Sequence, residues 1–216
     1  ASIVSAVEQG RIIYSNIRKF VYYLVSCNIA EIMIIFLAIL LNWHTPLAPI
    51  QLLWLNLISD GAPALALGTE KGDPDIMEHP PRPASEPIIN KFMVRGIIVQ
   101  TIAITATTLT AFWLGGGALK GSSAEARILS ETFAFVTLSL SELFRAYTAR
   151  SEYYPLTKIG IFSSKNMNLA VLFSVVLVLL VVYVPFLQII FDTVSLGWVE
   201  WAEILPLVLI PSIAAE

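Results

Sequence analysis

The chain has 216 residues, of which 56% are hydrophobic and 13% charged, with a formal net charge of −3 and a mean hydropathy of +0.76. That balance is too apolar and too poor in charge for an ordinary water-soluble domain, and it points to a lipid bilayer as solvent. A net negative chain without a basic stripe gives no reason to expect a nucleic-acid partner, and a single cysteine, Cys27, excludes an intrachain disulfide.

Residues 1–19 read as an amphipathic, charged approach. Ile3, Val4, Val7, Ile12 and Ile13 interleave with Glu8, Arg11, Arg18 and Lys19 at helical spacing. A first span-length apolar run, Phe20 to Leu41, contains Asn28 and Glu31, and the run from Asn42 to Pro46 breaks it. A second span, about Ile50 to Gly68, carries Asn56, Ser59 and Asp60 at i, i+3, i+4, on one helical face. Gly61 and Pro63 follow at once. Pro63 has no N–H, so the Ser59 carbonyl four residues back loses its helical partner, and a helix break is expected at Gly61–Pro63. Residues 69–95 form the longest polar segment, and five prolines exclude a regular helix there.

Further spans are expected at Ile97–Leu114, Ile128–Tyr147 and Leu169–Val184, with a last one starting near Glu200. Gly115-Gly116-Gly117 ends the third span, and Glu142 and Arg145 lie on the fourth. Trp198 and Trp201 suit a headgroup anchor. The fold class is therefore all-α: a six-helix transmembrane bundle with a long N-terminal stalk helix and a broken second span. Six spans put both ends on one side. Eleven Lys and Arg residues fall on that side and two, Lys120 and Arg127, on the other, so both termini are expected in the cytoplasm.

The chemistry concentrates in the membrane. A carboxylate in hydrocarbon is costly and ordinarily faces a partner or an ion pathway. Asn28 and Glu31 share a face at i, i+3; Asn56, Ser59 and Asp60 share another; Glu142 is a further candidate. If these faces meet, they offer about six to eight oxygens, the number that Ca2+ takes. Without histidine or cysteine among them, a soft transition metal is disfavoured. Each residue also has a plainer reading. Glu31 and Asp60 could be protonated helix–helix glue, the amides and Ser59 interhelical hydrogen bonders, and Glu142 an ion-pair partner of Arg145, three residues on. Cys27 reads as a small buried apolar residue. Gln100 and the threonines of the third span read as packing residues, and His44 and His79 as solvated loop residues.

The run from Ile3 through Arg11 to Asn16 resembles the end of the phosphorylation domain and the stalk helix of P-type cation pumps. Ser26-Cys27-Asn28-Ile29-Ala30-Glu31 is similar to the fifth, and Gln51 through Asp60-Gly61 to the sixth, transmembrane helix of sarcoplasmic-reticulum-type calcium ATPases. Asp75-Ile76-Met77, Pro80-Pro81-Arg82 and Glu86-Pro87-Ile88 resemble the cytoplasmic loop that follows, and Ser141-Glu142-Leu143-Phe144 extends the likeness. The resemblance implies that Asn28, Glu31, Ser59, Asp60 and Glu142 form one calcium site and that Asn56 and Asp60 contribute to a second. Ser59 stands where many members carry threonine. Sodium–potassium pumps usually carry aspartate where Asn56 stands, secretory-pathway pumps lack the acid matching Glu31, and bacterial members often have glutamine at Glu142.

The chain shows no Asp-Lys-Thr-Gly phosphorylation motif, no Thr-Gly-Glu motif and no Pro-Glu-Gly-Leu helix. It opens Ala1-Ser2-Ile3 without a methionine or a basic leader. The expectation is a C-terminal membrane domain over residues 1–216, with a stalk (1–19) and a docking loop (69–95), truncated at both ends. Its partners would be the bilayer and the phosphorylation domain and first four helices of the same pump. ATP and Mg2+ would act through those other domains, and Ca2+ would be exported across the cell membrane. A P-type pump for Na+/K+ or H+ is a second reading. A passive transporter or channel is a third, with the stalk and the loop 69–95 speaking against it, and a structural bundle is a fourth.

Overall fold

The computed structural model describes residues 2–215 apart from 82, 84, 85, 152, 153 and 155. Among them the secondary structure is helical, with one isolated antiparallel bridge, Trp43 to Leu119. The expected approach and first span are one helix, α1 (Ile3–Leu40). No proline interrupts it, and at 1.5 Å per residue its 38 residues extend about 57 Å. A hydrocarbon core is about 30 Å thick, so the helix is longer than a single crossing needs. The helix ends where Asn42 turns left-handed, φ 58°.

The second span is α2 (Pro49–Trp54), a π-helical turn (Leu55–Ser59) and α3 (Gly61–Gly68). The chain continues through α4 (Lys91–Leu114), α5 (Ala124–Thr148), a single turn α6 (Leu156–Ile159), α7 (Lys165–Tyr183), the short α8 (Pro185–Phe191) and α9 (Trp198–Ala215). Four stretches are long and apolar enough to cross a membrane: Ile3–Leu40, Pro49–Gly68, Lys91–Leu114 and Lys165–Tyr183. With α5 and α9 they make the six long segments of the bundle.

Helix α5 is the hub. It packs against α4, α7 and α9 and touches α1 and α3. Every residue from Thr132 to Leu143 is buried. Because protein surrounds it, its outward positions need not be apolar, and Thr132, Thr137, Ser139, Ser141 and Glu142 are all buried there. Glycine sets the approach of α4 to α5: the Gly117 N–H donates to Ser130 Oγ (2.6 Å), and a Cβ at Gly117 would collide with the Ala126 carbonyl. Gln100 is buried and its amide donates to the Pro211 carbonyl (3.0 Å), tying α4 to α9. The loop from 69 begins as expected, but α4 starts at Lys91, so its polar connection is 69–90. Asn90 caps α4 by accepting from the Met93 N–H (2.9 Å).

Candidate functional site

The distortion of the second span begins before the glycine. The backbone does not open at Gly61–Pro63. Instead the Asp60 N–H reaches back five residues to the Leu55 carbonyl (2.9 Å), and a regular helix resumes when the Ala64 N–H meets the Asp60 carbonyl (3.0 Å). Pro63 thus falls in the first turn of α3, where a missing N–H costs little, and the turn upstream widens to make room. The Ser59 carbonyl, deprived of a partner by Pro63, accepts from Ser174 Oγ on α7 (2.9 Å). The freed carbonyl is real, and a side chain has taken it. Ser174 is the only serine or threonine of an otherwise apolar span, which was the signal for it in the sequence.

The wide turn aims Asp60 into the bundle. Asp60 is fully buried, and its Oδ1 accepts from the Tyr23 hydroxyl (3.0 Å). Four residues on from Tyr23, the sulfur of Cys27 and one oxygen each of Asp60 and Glu142 lie within 4.8 Å of one another, all three residues buried. Four residues further along α1, Glu31 accepts from the Asn56 amide at 2.9 and 2.7 Å. Tyr23, Cys27 and Glu31 therefore form an i, i+4, i+8 stripe running antiparallel to the second span. The single expected locus is two adjacent rungs, Cys27–Asp60–Glu142 and Glu31–Asn56.

Two expectations change. Cysteine does stand among the acids: Cys27 is buried, as expected, but beside two carboxylates. Asn28 does not join them. It is exposed and its amide donates to the Leu24 carbonyl four residues back (2.8 Å). At 3.6 residues per turn, Cys27 lies about 40° to one side of Glu31 and Asn28 about 60° to the other, and the second span packs on the Cys27 side.

Glu142 is not the ion-pair partner of Arg145. The Arg145 guanidinium sits 4.5 Å above the Tyr22 ring and donates to Thr148 Oγ1 (2.9 Å). Both Glu142 oxygens, Asp60 Oδ2 and Ser59 Oγ are buried and accept no hydrogen bond among the described residues. A buried polar atom without a partner is costly, so this arrangement wants a cation or protons.

The near end is wired differently. Glu70 and Arg150, both buried, meet in a two-pronged pair (3.1 and 3.3 Å). Arg150 also donates to the carbonyls of Gly160 and Ile161 (2.9 and 3.0 Å). The stalk holds the same loop: Asn16 donates to the Glu70 carbonyl (2.7 Å), Arg11 to those of Ile76 and His79 (2.9 and 2.8 Å), and Lys19 lies 3.8 Å from Asp73. Asp75 accepts from Tyr154 (2.7 Å) and lies 3.2 Å from His79, so that imidazole is partnered rather than simply solvated. The Tyr154 hydroxyl holds the Asp75 carboxyl below the usual carboxylate range, and the same bond pushes the phenol up. Arg82, part of the loop's resemblance to the pump family, lies outside the described residues.

Apolar helices packed around buried acids, of which Glu142 has neither oxygen partnered among the described residues, define the membrane-embedded part of an ion transporter. The family model for the C-terminus of cation transporting ATPases matches residues 44–216, and the chain belongs to that family. It is 39% identical over 227 residues to Calcium-transporting ATPase 1 of Bacillus cereus, with 100% of this chain and 26% of that protein covered. It is 36% identical over 212 residues to the Calcium-transporting ATPase of Bacillus subtilis, covering 98% of this chain and 23% of that protein. Against the human Calcium-transporting ATPase type 2C member 1 it is 37% identical over 215 residues, covering 100% and 23%. The chain thus spans about a quarter of the length of these relatives.

Proposed function

We propose that this chain is the ion-binding membrane portion of an ATP-driven pump that moves Ca2+ out of the cytoplasm, of the sarcoplasmic-reticulum-like type. The observation that carries the reading is the buried pair of Asp60 and Glu142, which bring a carboxylate oxygen each to within 4.8 Å beside the widened turn of the second span, with both Glu142 oxygens unpartnered among the described residues. Hard oxygen ligands suit Ca2+. Glu31, Asn56, Ser59, Asp60 and Glu142 are the proposed ligands. Asn28 lies on the open flank of α1, beside the exposed Ile29, Ile32 and Phe36, the surface against which the first four helices of the parent would pack. The presence of the acid Glu31 favours this type over the secretory-pathway one.

ATP and Mg2+ act in other segments of the parent. The stalk and the loop 69–90, fastened together through Arg11, Asn16 and Lys19, form the unit that answers to the phosphorylation domain. Both ends lie in the cytoplasm and the protein resides in the cell membrane, a reading supported by the basic residues gathered at the stalk end. The test is ATP-dependent 45Ca2+ uptake by the full-length parent reconstituted in vesicles. Uptake that collapses with a calcium ionophore is expected; ATP turnover stimulated by Na+, K+ or protons and indifferent to Ca2+ would overturn the ion assignment.

A further inference from the structure

The sulfur at the centre of the bundle has no place among ligands for a hard cation. Cys27 is fully buried, and its Sγ lies within 4.8 Å of a carboxylate oxygen of Asp60 and of Glu142, which lie equally close to each other. A metal of zinc's size sits about 2.3 Å from a thiolate and about 2.0–2.2 Å from a carboxylate oxygen, so a tetrahedral ion holds its ligand atoms about 3.4–3.6 Å apart, and these side chains, within 4.8 Å of one another, draw in by up to about 1 Å to close on it. The second observation concerns the carboxylates. Glu142 is fully buried, and neither of its oxygens accepts a hydrogen bond among the described residues; Asp60 Oδ2 is in the same condition. The amide of Asn56, which would compete for a carboxylate here, is already committed to Glu31.

We propose that Cys27, Asp60 and Glu142 form a three-ligand capture site for a thiophilic divalent cation, of the Zn2+ and Cd2+ class, that competes with the transported ion. The inference rests on the reading of this site as a cation site and adds a selectivity to it. Thiolate selects soft and borderline metals, whereas an all-oxygen set suits Ca2+. On binding, the Cys27 S–H bond breaks, its proton leaves to solvent, and the sulfur lone pair makes the bond to the metal, with no change of oxidation state. Two carboxylates complete a three-ligand set and leave a position for water, the arrangement of an open zinc-like site. The Tyr23 hydroxyl donates to Asp60 Oδ1 and fixes the orientation of that carboxylate. The capture site holds a thiophilic ion longer than the oxygen set holds Ca2+, so such an ion blocks turnover.

The experiment uses the full-length pump in vesicles with CdCl2 as the probe. Half-saturation by Ca2+ and half-inhibition by Cd2+ are measured for the wild type and for Cys27→Ser, which exchanges the sulfur for a hard oxygen. The expected result is a fall of at least tenfold in the ratio of Cd2+ to Ca2+ affinity; an unchanged ratio overturns the proposal. A spectroscopic measurement on the purified proteins stands apart from transport. Cd2+ should raise a thiolate-to-metal ultraviolet band in the wild type that excess Ca2+ removes and that Cys27→Ala lacks. The same band in Cys27→Ala overturns the proposal. Normal Ca2+ uptake with equal Cd2+ potency in both forms sinks this inference and leaves the calcium reading standing. A Cys27-dependent band in a protein that takes up no Ca2+ does the reverse.

Discussion

Two clusters of buried carboxylate in this chain have opposite surroundings. At the near end, Glu70 is held by both prongs of Arg150, and the stalk grips the same stretch of loop through Asn16. In the bundle, Glu142 has no basic partner among the described residues, although Arg145 lies one turn away on the same helix and is itself buried. A buried charge that is paired and hydrogen-bonded is architecture. One whose partner is withheld is held open for something mobile. Arg145 is kept aside by stacking on Tyr22 and bonding Thr148, so the packing of α1 on α5 keeps the site acidic.

The sharpest test of that contrast is Asp60→Asn, which keeps the shape and removes the charge. In the full-length parent it should abolish Ca2+-dependent phosphorylation from ATP, read by acid-stable 32P labelling, while phosphorylation from inorganic phosphate persists. Calcium affinity near normal in this variant, with loss in Glu142→Gln instead, would move the centre of the site to α5.

Next in size are the stabilities. Arg150→Ala strands Glu70 in a buried position and should cost about 3–5 kcal/mol, seen as a large drop in the thermal midpoint in detergent. Glu142→Gln removes an unpartnered carboxyl, so its midpoint should hold or rise while calcium affinity falls moderately. Equal destabilisation by the two changes would erase the distinction between paired and withheld carboxylates.

Ser174→Ala should be smaller, about 1 kcal/mol, because it leaves the Ser59 carbonyl buried without its donor. Calcium affinity measured on the same variant reports whether that carbonyl, once released, changes ion binding.

The smallest effect concerns the loop. The Asp75 carboxyl is depressed by Tyr154, so the bond's contribution is present above the ordinary carboxylate range and is lost as pH falls through the lowered value. Tyr154→Phe should make limited proteolysis of the loop 69–90 begin at a higher pH than in the wild type. Identical pH profiles would leave Tyr154 as a neighbour of Asp75 without influence on the loop.

The all-helical class, the long stalk and the polar loop were legible in the chain because hydropathy and proline act locally. A run of apolar residues long enough to span, or five prolines within a short segment, has the same meaning in any tertiary setting. The acids were legible for a related reason: a carboxylate in an apolar span is conspicuous wherever it faces. Pro63 likewise foretold the free Ser59 carbonyl, since a missing N–H is a covalent fact. Which way each side chain turns was not local. Cys27 and Asn28 are adjacent in sequence and nearly equidistant in angle from Glu31, and only the flank chosen by the second span buries one and exposes the other. The same holds for Glu142, whose separation from Arg145 depends on a ring contributed by α1. Periodicity names a helix face; the neighbouring helices decide where on that face the interior begins.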